Sequence, residues 1–280
     1  MINKGEIITS RQNAGIKRAC ALLDKKSREA ERLFRFDGSK LFCEAVAQGV
    51  FIERVYIEES AAELVYSKVG ELVDKLDEGR VSFVADHVFS KMTEEKSPEG
   101  IITIAKYIDK SHKLIKINNE EFLPLSDECV MLLESIRDPG NLGTMIRSAA
   151  ALGIDRLIIS SDCADIYNPK TIRAAMGGLF KLRIDKLEPS VSMAEYITKL
   201  RSADRHVYAA ALSSDAVSLS DNPLDKGDCI VVGNEGHGLS SETIKACDRS
   251  VIIPMEEGCE SLNAAAAAVI FMWELRRTNK

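Results

Sequence analysis

Little in this 280-residue chain supports metal or disulfide chemistry. Its seven cysteines (Cys20, Cys43, Cys129, Cys163, Cys229, Cys247 and Cys259) include no C-x-x-C pair, and its four histidines are scattered. A zinc site needs clustered thiolate or imidazole ligands, so no metal is expected. The thiols read as reduced cysteines of an intracellular protein. Long apolar runs are equally scarce. The opening MINKGEIITS lacks the apolar core of a signal peptide. No window approaches the ~18 uninterrupted apolar residues of a membrane span, and AAAAAVIFMW suits a packed helix. A cytoplasmic protein without a membrane partner is expected. Two phosphate-binding signatures are also missing. The run Gly233-Asn234-Glu235-Gly236-His237-Gly238 reads G-x-x-G-x-G rather than G-x-G-x-x-G, and no Gly-Lys-Ser/Thr follows it.

What is present suits a soluble α/β protein. Hydrophobic residues make up 45% and charged residues 29%, enough apolar material for a full core. Net charge is −6, which argues against a surface that grips nucleic acid everywhere. Residues 1–40 nevertheless hold ten Lys/Arg against five acids, so this segment is +5 and the rest −11. A basic segment on an acidic body suits local phosphate contacts. A solvated helix face with i,i+4 pairs such as Asp24 with Arg28 explains it equally well.

The first half alternates helix and strand signals. Residues 14–32 have helical spacing, 33–36 read as a strand, and Ser39 is a plausible cap for a helix through Ala47. Strands at 54–57, 81–84 and 101–105 and helices at 61–76 and 88–92 complete a small α/β domain. Residues 109–127 lose periodicity and are expected to link domain 1–108 to domain 128–280. In the second half, apolar runs at 129–133, 156–159, 206–212, 229–232 and 250–253 read as buried parallel strands. Helices fit 141–152, 169–176, 191–202, 240–247 and 262–276.

Three clusters directly follow strands, where open α/β sheets bind ligands. In the first, Asp138-Pro139-Gly140-Asn141 turns the chain; Asn141 can cap the next helix, and Arg147 lies six residues on. Arg147 is either a surface charge or a planar donor for phosphate or ribose oxygens. In the second, the glycines around Asn234 and Glu235 let backbone approach a ligand closely, and Glu235 offers a carboxylate. In the third, Ile253-Pro254-Met255 ends a strand, and Ser261-Leu262-Asn263 opens an alanine-rich helix as caps or as polar ligands.

In identity, order and spacing these clusters resemble the three motifs of the SpoU/TrmH family of the SPOUT superfamily, which methylates RNA ribose 2′-hydroxyls with S-adenosylmethionine. The segment Asn168–Phe180 is similar to that family's middle segment, and ITSRQNAGIKRACALLDKKSREAERLFRFDGSKLFCEA to its N-terminal substrate-binding domain. Small departures are Thr144 where alanine is common, Ser148 where threonine is common, and the acids Glu256, Glu257 and Glu260.

The resemblance implies a small ribosomal-protein-like α/β/α RNA-binding domain followed by a SPOUT α/β domain with a deep trefoil knot. It implies S-adenosylmethionine held by Gly233, Asn234, Gly238, Ile253, Met255 and Leu262. It implies a homodimer joined through the knotted domain. Arg147, Asn141, Glu235, Ser261 and Asn263 are the implied catalytic residues. A guanidinium is a poor base, so Arg147 is expected to bind phosphate or polarise the hydroxyl. The extra domain points to 23S ribosomal RNA; transfer RNA and a thiopeptide-resistance role are the alternatives. A silent ribosome-assembly factor and a small-metabolite enzyme are the competing classes.

Overall fold

The computed structural model describes residues 5–77, 79–116, 123–213, 216–221, 224–234, 236–256 and 261–278. The chain divides into two compact units: 1–108 with 167–180, and 109–166 with 181–280.

The first unit is built on a four-stranded sheet of order β1-β4-β2-β3. Its strands are β1 (Leu33–Asp37), β2 (Ile52–Glu58), β3 (Val81–Val84) and β4 (Ile101–Lys106). Strand β4 is antiparallel to β1 and β2, whereas β2 and β3 are parallel. Helices α1 (Ala14–Ala21), α2 (Lys25–Glu31), α3 (Ser39–Ala47), α4 (Ala62–Val73) and α5 (Asp86–Met92) accompany it. One core forms where Ile16 and Ala19 of α1 and Val88 and Phe89 of α5 meet Tyr56, Ile102 and Ile104 of the sheet.

Several local expectations change here. The single helix over 14–32 is two, because the Asp24 carboxylate accepts from Ser27 N–H at 3.2 Å and restarts the chain as α2. Arg28 is buried rather than solvated, donating to the Leu22 and Leu23 carbonyls at 2.9 and 2.6 Å. Arg35 is buried too, donating to Ala19 O and Asp37. Part of the basic segment therefore serves folding. Ser39 is not a cap. Gly38 precedes α3 at φ 104°, and the Glu99 carboxylate accepts from Ser39 N–H at 3.3 Å.

Residues 167–180 carry α7 (Pro169–Ala175) and the start of α8 (Gly178–Lys181). Tyr167 lies 4.7 Å from the Phe34 ring and stacks on Tyr107 at 4.0 Å, while Phe180 lies 5.4 Å from Phe36.

The second unit holds an eight-stranded sheet of order β10-β12-β9-β11-β6-β7-β8-β5, parallel at every pairing. Its strands are β5 (His112–Ile115), β6 (Val130–Leu133), β7 (Arg156–Ile159), β8 (Arg183–Leu187), β9 (Val207–Ala210), β10 (Val217–Ser218), β11 (Cys229–Val232) and β12 (Arg249–Ile252). The helices are α6 (Pro139–Leu152), α9 (Met193–Ser202), α10 (Ser241–Ala246) and α11 (Ala264–Thr278). Strands β6, β7 and β11 are buried at every position, β6 and β11 as unbroken apolar sequences and β7 as one after Arg156. The core includes Val130, Leu132, Ile158, Ile197, Leu200 and Val231.

Three strands of this sheet escaped the sequence reading, the two-residue β10 among them. His112–Ile115, inside the expected linker, is the edge strand β5 paired with β8. Strand β8 reads Arg-Ile-Asp-Lys-Leu, too charged to resemble a buried strand. Its Asp185 is fully buried, 3.3 Å from the Arg156 guanidinium and 3.2 Å from that of Arg183; Arg156 also meets Glu128 at 3.0 Å. Burial pushes the Asp185 carboxyl upward, with Arg183 and Arg156 pulling it down. These charges pair with one another inside the sheet instead of facing water.

Candidate active site

Strands β6, β9, β11 and β12 end on one side of the parallel sheet, and the three clusters extend from β6, β11 and β12. In the first cluster the cap is Asp138, not Asn141. The Asp138 carboxylate accepts from Asn141 N–H at 2.8 Å, and Pro139 occupies the first helical position. The Asn141 side chain, in the first turn of α6, is therefore not the cap and reaches a second element.

That element is the start of α11. Asn263 caps it: Oδ1 accepts from Ala265 and Ala266 N–H at 2.9 and 3.3 Å. The other end of the same amide, Nδ2, donates to Asn141 Oδ1 at 3.3 Å. The first and third clusters therefore meet.

The second cluster is joined to the first by two further ties. Asn234 Nδ2 donates to the Ser135 carbonyl at 3.3 Å, while its Oδ1 receives Gly236 and His237 N–H at 2.8 and 2.9 Å. Glu134, directly after β6, accepts from Ser240 N–H at 3.0 Å, Ser240 Oγ at 3.2 Å and Thr243 Oγ1 at 2.7 Å. Ser240 caps α10, so Glu134 fastens the far end of the glycine-rich loop. Sequence reasoning missed Glu134; a carboxylate just past a buried strand was the available signal.

The first cluster is also anchored from the loop after β7. Ser135 holds a left-handed backbone, φ 57°. Asp162 accepts from Ser135 Oγ at 2.7 Å, Ser160 Oγ at 2.6 Å and Arg137 at 3.1 Å. Burial raises the Asp162 carboxyl, but these hydrogen bonds together hold it below the usual aspartate range.

A cavity of about 390 Å³ opens over the ends of β9, β11 and β12. Gly233, Asn234, Gly238, Ile253, Met255 and Leu262, the six implied cofactor positions, all line it, as does Ser261. Leu239, Ile244 and Phe271 add apolar wall, and His237, unflagged by the sequence, also lines it. Gly233 has a reason other than ligand approach. A Cβ there would stand 2.3 Å from the Gly238 carbonyl, so the loop folds back on itself only if this residue is glycine.

Of the implied catalytic residues, Ser261 lines the cavity, while Asn141, Asn263 and Arg147 are not among its lining residues. Glu235 lies outside the described residues. Arg147 is exposed on α6 and does not line the cavity. Six residues of helix turn it about 120° away from Asn141.

Residues 128–273 match the family model described as the SpoU rRNA Methylase family. The chain belongs to that family. Residues 13–103 match the MRM3-like substrate binding domain. The chain is 28% identical over 270 residues to the 23S rRNA (guanosine(2553)-2′-O)-methyltransferase of Bacillus subtilis, covering 96% of this chain and 98% of that one. It is 28% identical over 208 residues to the 23S rRNA (uridine(2479)-2′-O)-methyltransferase of Streptomyces viridochromogenes, covering 74% and 70%. The AdoMet-bound rRNA methyltransferase of Sinorhizobium meliloti superposes with a TM-score of 0.79 at 28% identity over 97% of each chain. All three clusters fall inside the methylase match.

Proposed function

We propose that this chain transfers a methyl group from S-adenosylmethionine to a ribose 2′-hydroxyl of large-subunit ribosomal RNA. The observation that carries this reading is the cavity built by the second and third clusters, with the first cluster tied to the third by the Asn141–Asn263 contact. Its described lining residues include no Lys, Arg, Asp or Glu. Such walls suit an adenosyl sulfonium compound, whose positive centre meets no like charge, better than a nucleoside polyphosphate. The relatives named for 2′-O-methylation of 23S rRNA support the ribose oxygen and the RNA class.

Held in this cavity, S-adenosylmethionine would supply an electrophilic methyl to the ribose oxygen and leave as S-adenosylhomocysteine, the hydroxyl proton passing to water. The protein's part is to align that oxygen and ease the loss of its proton. Asn141, held by Asn263, and Ser261 present neutral hydrogen-bonding groups for the ribose. The Arg147 guanidinium, a poor base, holds an RNA phosphate or polarises the hydroxyl.

The exposed position of Arg147 supports a site completed by a second copy of the chain. Helix α11 packs on α6 and leaves Ile270 37% and Trp273 60% exposed on one stripe. A homodimer through that face covers these side chains and sets the arginine of one subunit toward the cleft of the other. The trefoil knot belongs to the same proposal.

The test is methyl transfer to ribosomal RNA by the purified protein, with the product mapped as 2′-O-methyl or base methyl. Ribose methylation, lost in Arg147→Ala and poorly restored by Arg147→Lys, is expected. Base methylation, or wild-type turnover in Arg147→Ala, overturns the scheme. Calorimetry showing no S-adenosylmethionine binding favours the assembly factor instead.

A further inference from the structure

The first unit holds a cavity of its own. It is about 360 Å³ and is lined by Ile8, Asn13, Gly15, Arg18, Arg54, Tyr56 and Ile104, among others. Arg54 and Tyr56 stand two residues apart on β2 and so share a sheet face, with Ile104 of β4 opposite Arg54. Helix α1 crosses this face with its first turn over Tyr56. A Cβ at Gly15 would lie 2.7 Å from the tyrosine hydroxyl.

Two side chains present polar groups to this cavity. Tyr56 is 1% exposed, and its hydroxyl, which has no hydrogen-bond partner among the described residues, is not enclosed but open to the cavity it lines. Arg54 donates to Ser82 Oγ at 3.0 Å but has no carboxylate partner among the described residues. Arg18, by contrast, is paired with Glu31 and lies 3.6 Å from Glu53. The cavity thus offers one uncompensated guanidinium, a second that is shared, and a waiting hydroxyl, against the aliphatic walls of Ile8 and Ile104. A single uncompensated cation suits one phosphodiester, not a polyphosphate. The volume suits one small unit such as a nucleotide. Burial pushes the Tyr56 phenol up while Arg54 and Arg18 draw it down, so both cations act on this hydroxyl.

We propose that this cavity takes one unpaired nucleotide of the RNA, its phosphodiester on Arg54 with help from Arg18 and its base beside the Tyr56 hydroxyl. Proteins read single-stranded RNA largely through such splayed-out nucleotides. The proposal rests on the reading of the chain as an RNA methyltransferase. It adds a second point of RNA contact, separate from the methylation cavity, that selects for an unpaired position.

The experiment titrates the full-length protein with a labelled mixed-sequence single-stranded 12-nucleotide RNA and with a duplex of the same length. Tyr56→Phe and Arg54→Gln are expected to weaken single-strand binding about tenfold each, with duplex binding and S-adenosylmethionine affinity within twofold of wild type. Tyr56→Phe removes a hydroxyl that folding leaves unpaired, so its melting temperature should equal or exceed that of the wild type. A merely structural tyrosine would not separate affinity from stability in this way. Wild-type single-strand affinity in either variant overturns the proposal. A wild-type protein that methylates RNA but does not bind the 12-mer overturns the pocket alone. One that neither methylates nor binds overturns both readings.

Discussion

One amide group, that of Asn263, serves two elements: its oxygen caps α11 and its nitrogen donates to Asn141 Oδ1 at 3.3 Å. Cap and site are therefore separable by mutation. Asn263→Ser keeps a good capping residue but is too short to reach Asn141. Its stability should stay within about 0.5 kcal/mol of wild type while methyl transfer falls at least tenfold. Asn263→Ala should lose about 1 kcal/mol as well. Denaturant melts and single-turnover assays check this pair; full activity in Asn263→Ser would show the contact to be incidental.

Glu134 should act on cofactor affinity without touching the cavity. Glu134→Ala leaves the Thr243 hydroxyl, 1% exposed at the residue level, without its 2.7 Å acceptor. A cost of about 1–3 kcal/mol is expected. The glycine-rich loop loses its fastening at Ser240, so KM for S-adenosylmethionine should rise more than kcat falls. Equal falls in kcat and kcat/KM with unchanged KM would contradict a loop-positioning role.

At Gly233 even one methyl group is too much. A Cβ would sit 2.3 Å from Gly238 backbone and 2.6 Å from Leu239 N, so the backbone itself must move. Gly233→Ala should cost about 1–3 kcal/mol and weaken cofactor binding measured by calorimetry. Gly236→Ala, which meets only Asn234 Oδ1 at 3.7 Å, should be far milder.

Asp162 should shape the acid limb of stability. Its folded-state carboxyl lies below the ordinary aspartate value. Its contribution is therefore fully present above the unfolded pKa, about 3.9, and is lost only as pH falls through the lower folded value. Asp162 is 42% exposed, so solvent screening holds the contribution to about 1 kcal/mol or less. Asp162→Asn should be less stable than wild type at neutral pH, with the difference closing in strong acid. A difference that persists unchanged into strong acid would place the effect elsewhere.

How much of this was visible beforehand follows from where each residue spends its chemistry. Strands β7 and β11 matched their expected limits because their positions are all buried and their sequences read as mostly apolar runs. Strand β8 was invisible because Arg183 and Asp185 satisfy each other inside the fold, which one-dimensional hydropathy cannot see. The six residues to which the motif resemblance assigns the cofactor line a single cavity. The cap at α6 went to Asp138 because two good capping residues stand three apart, and only the backbone decides which accepts. Glu134 was missed although its place just past β6 was a signal, and Asp162 because nothing local distinguishes a carboxylate that reaches across to another loop from one in water.

The placement of 167–180 bears on how the polypeptide is made. Phe34 meets Tyr167 and Phe180 in the same unit, although more than 130 residues separate them in the chain. During synthesis the amino-terminal unit cannot complete its aromatic cluster until residue 180 has left the ribosome. A fragment ending at Ile108 therefore emerges with Phe34 and Tyr107 bare. Dissecting the protein at that point would yield a sticky nascent intermediate rather than an independent RNA-binding module.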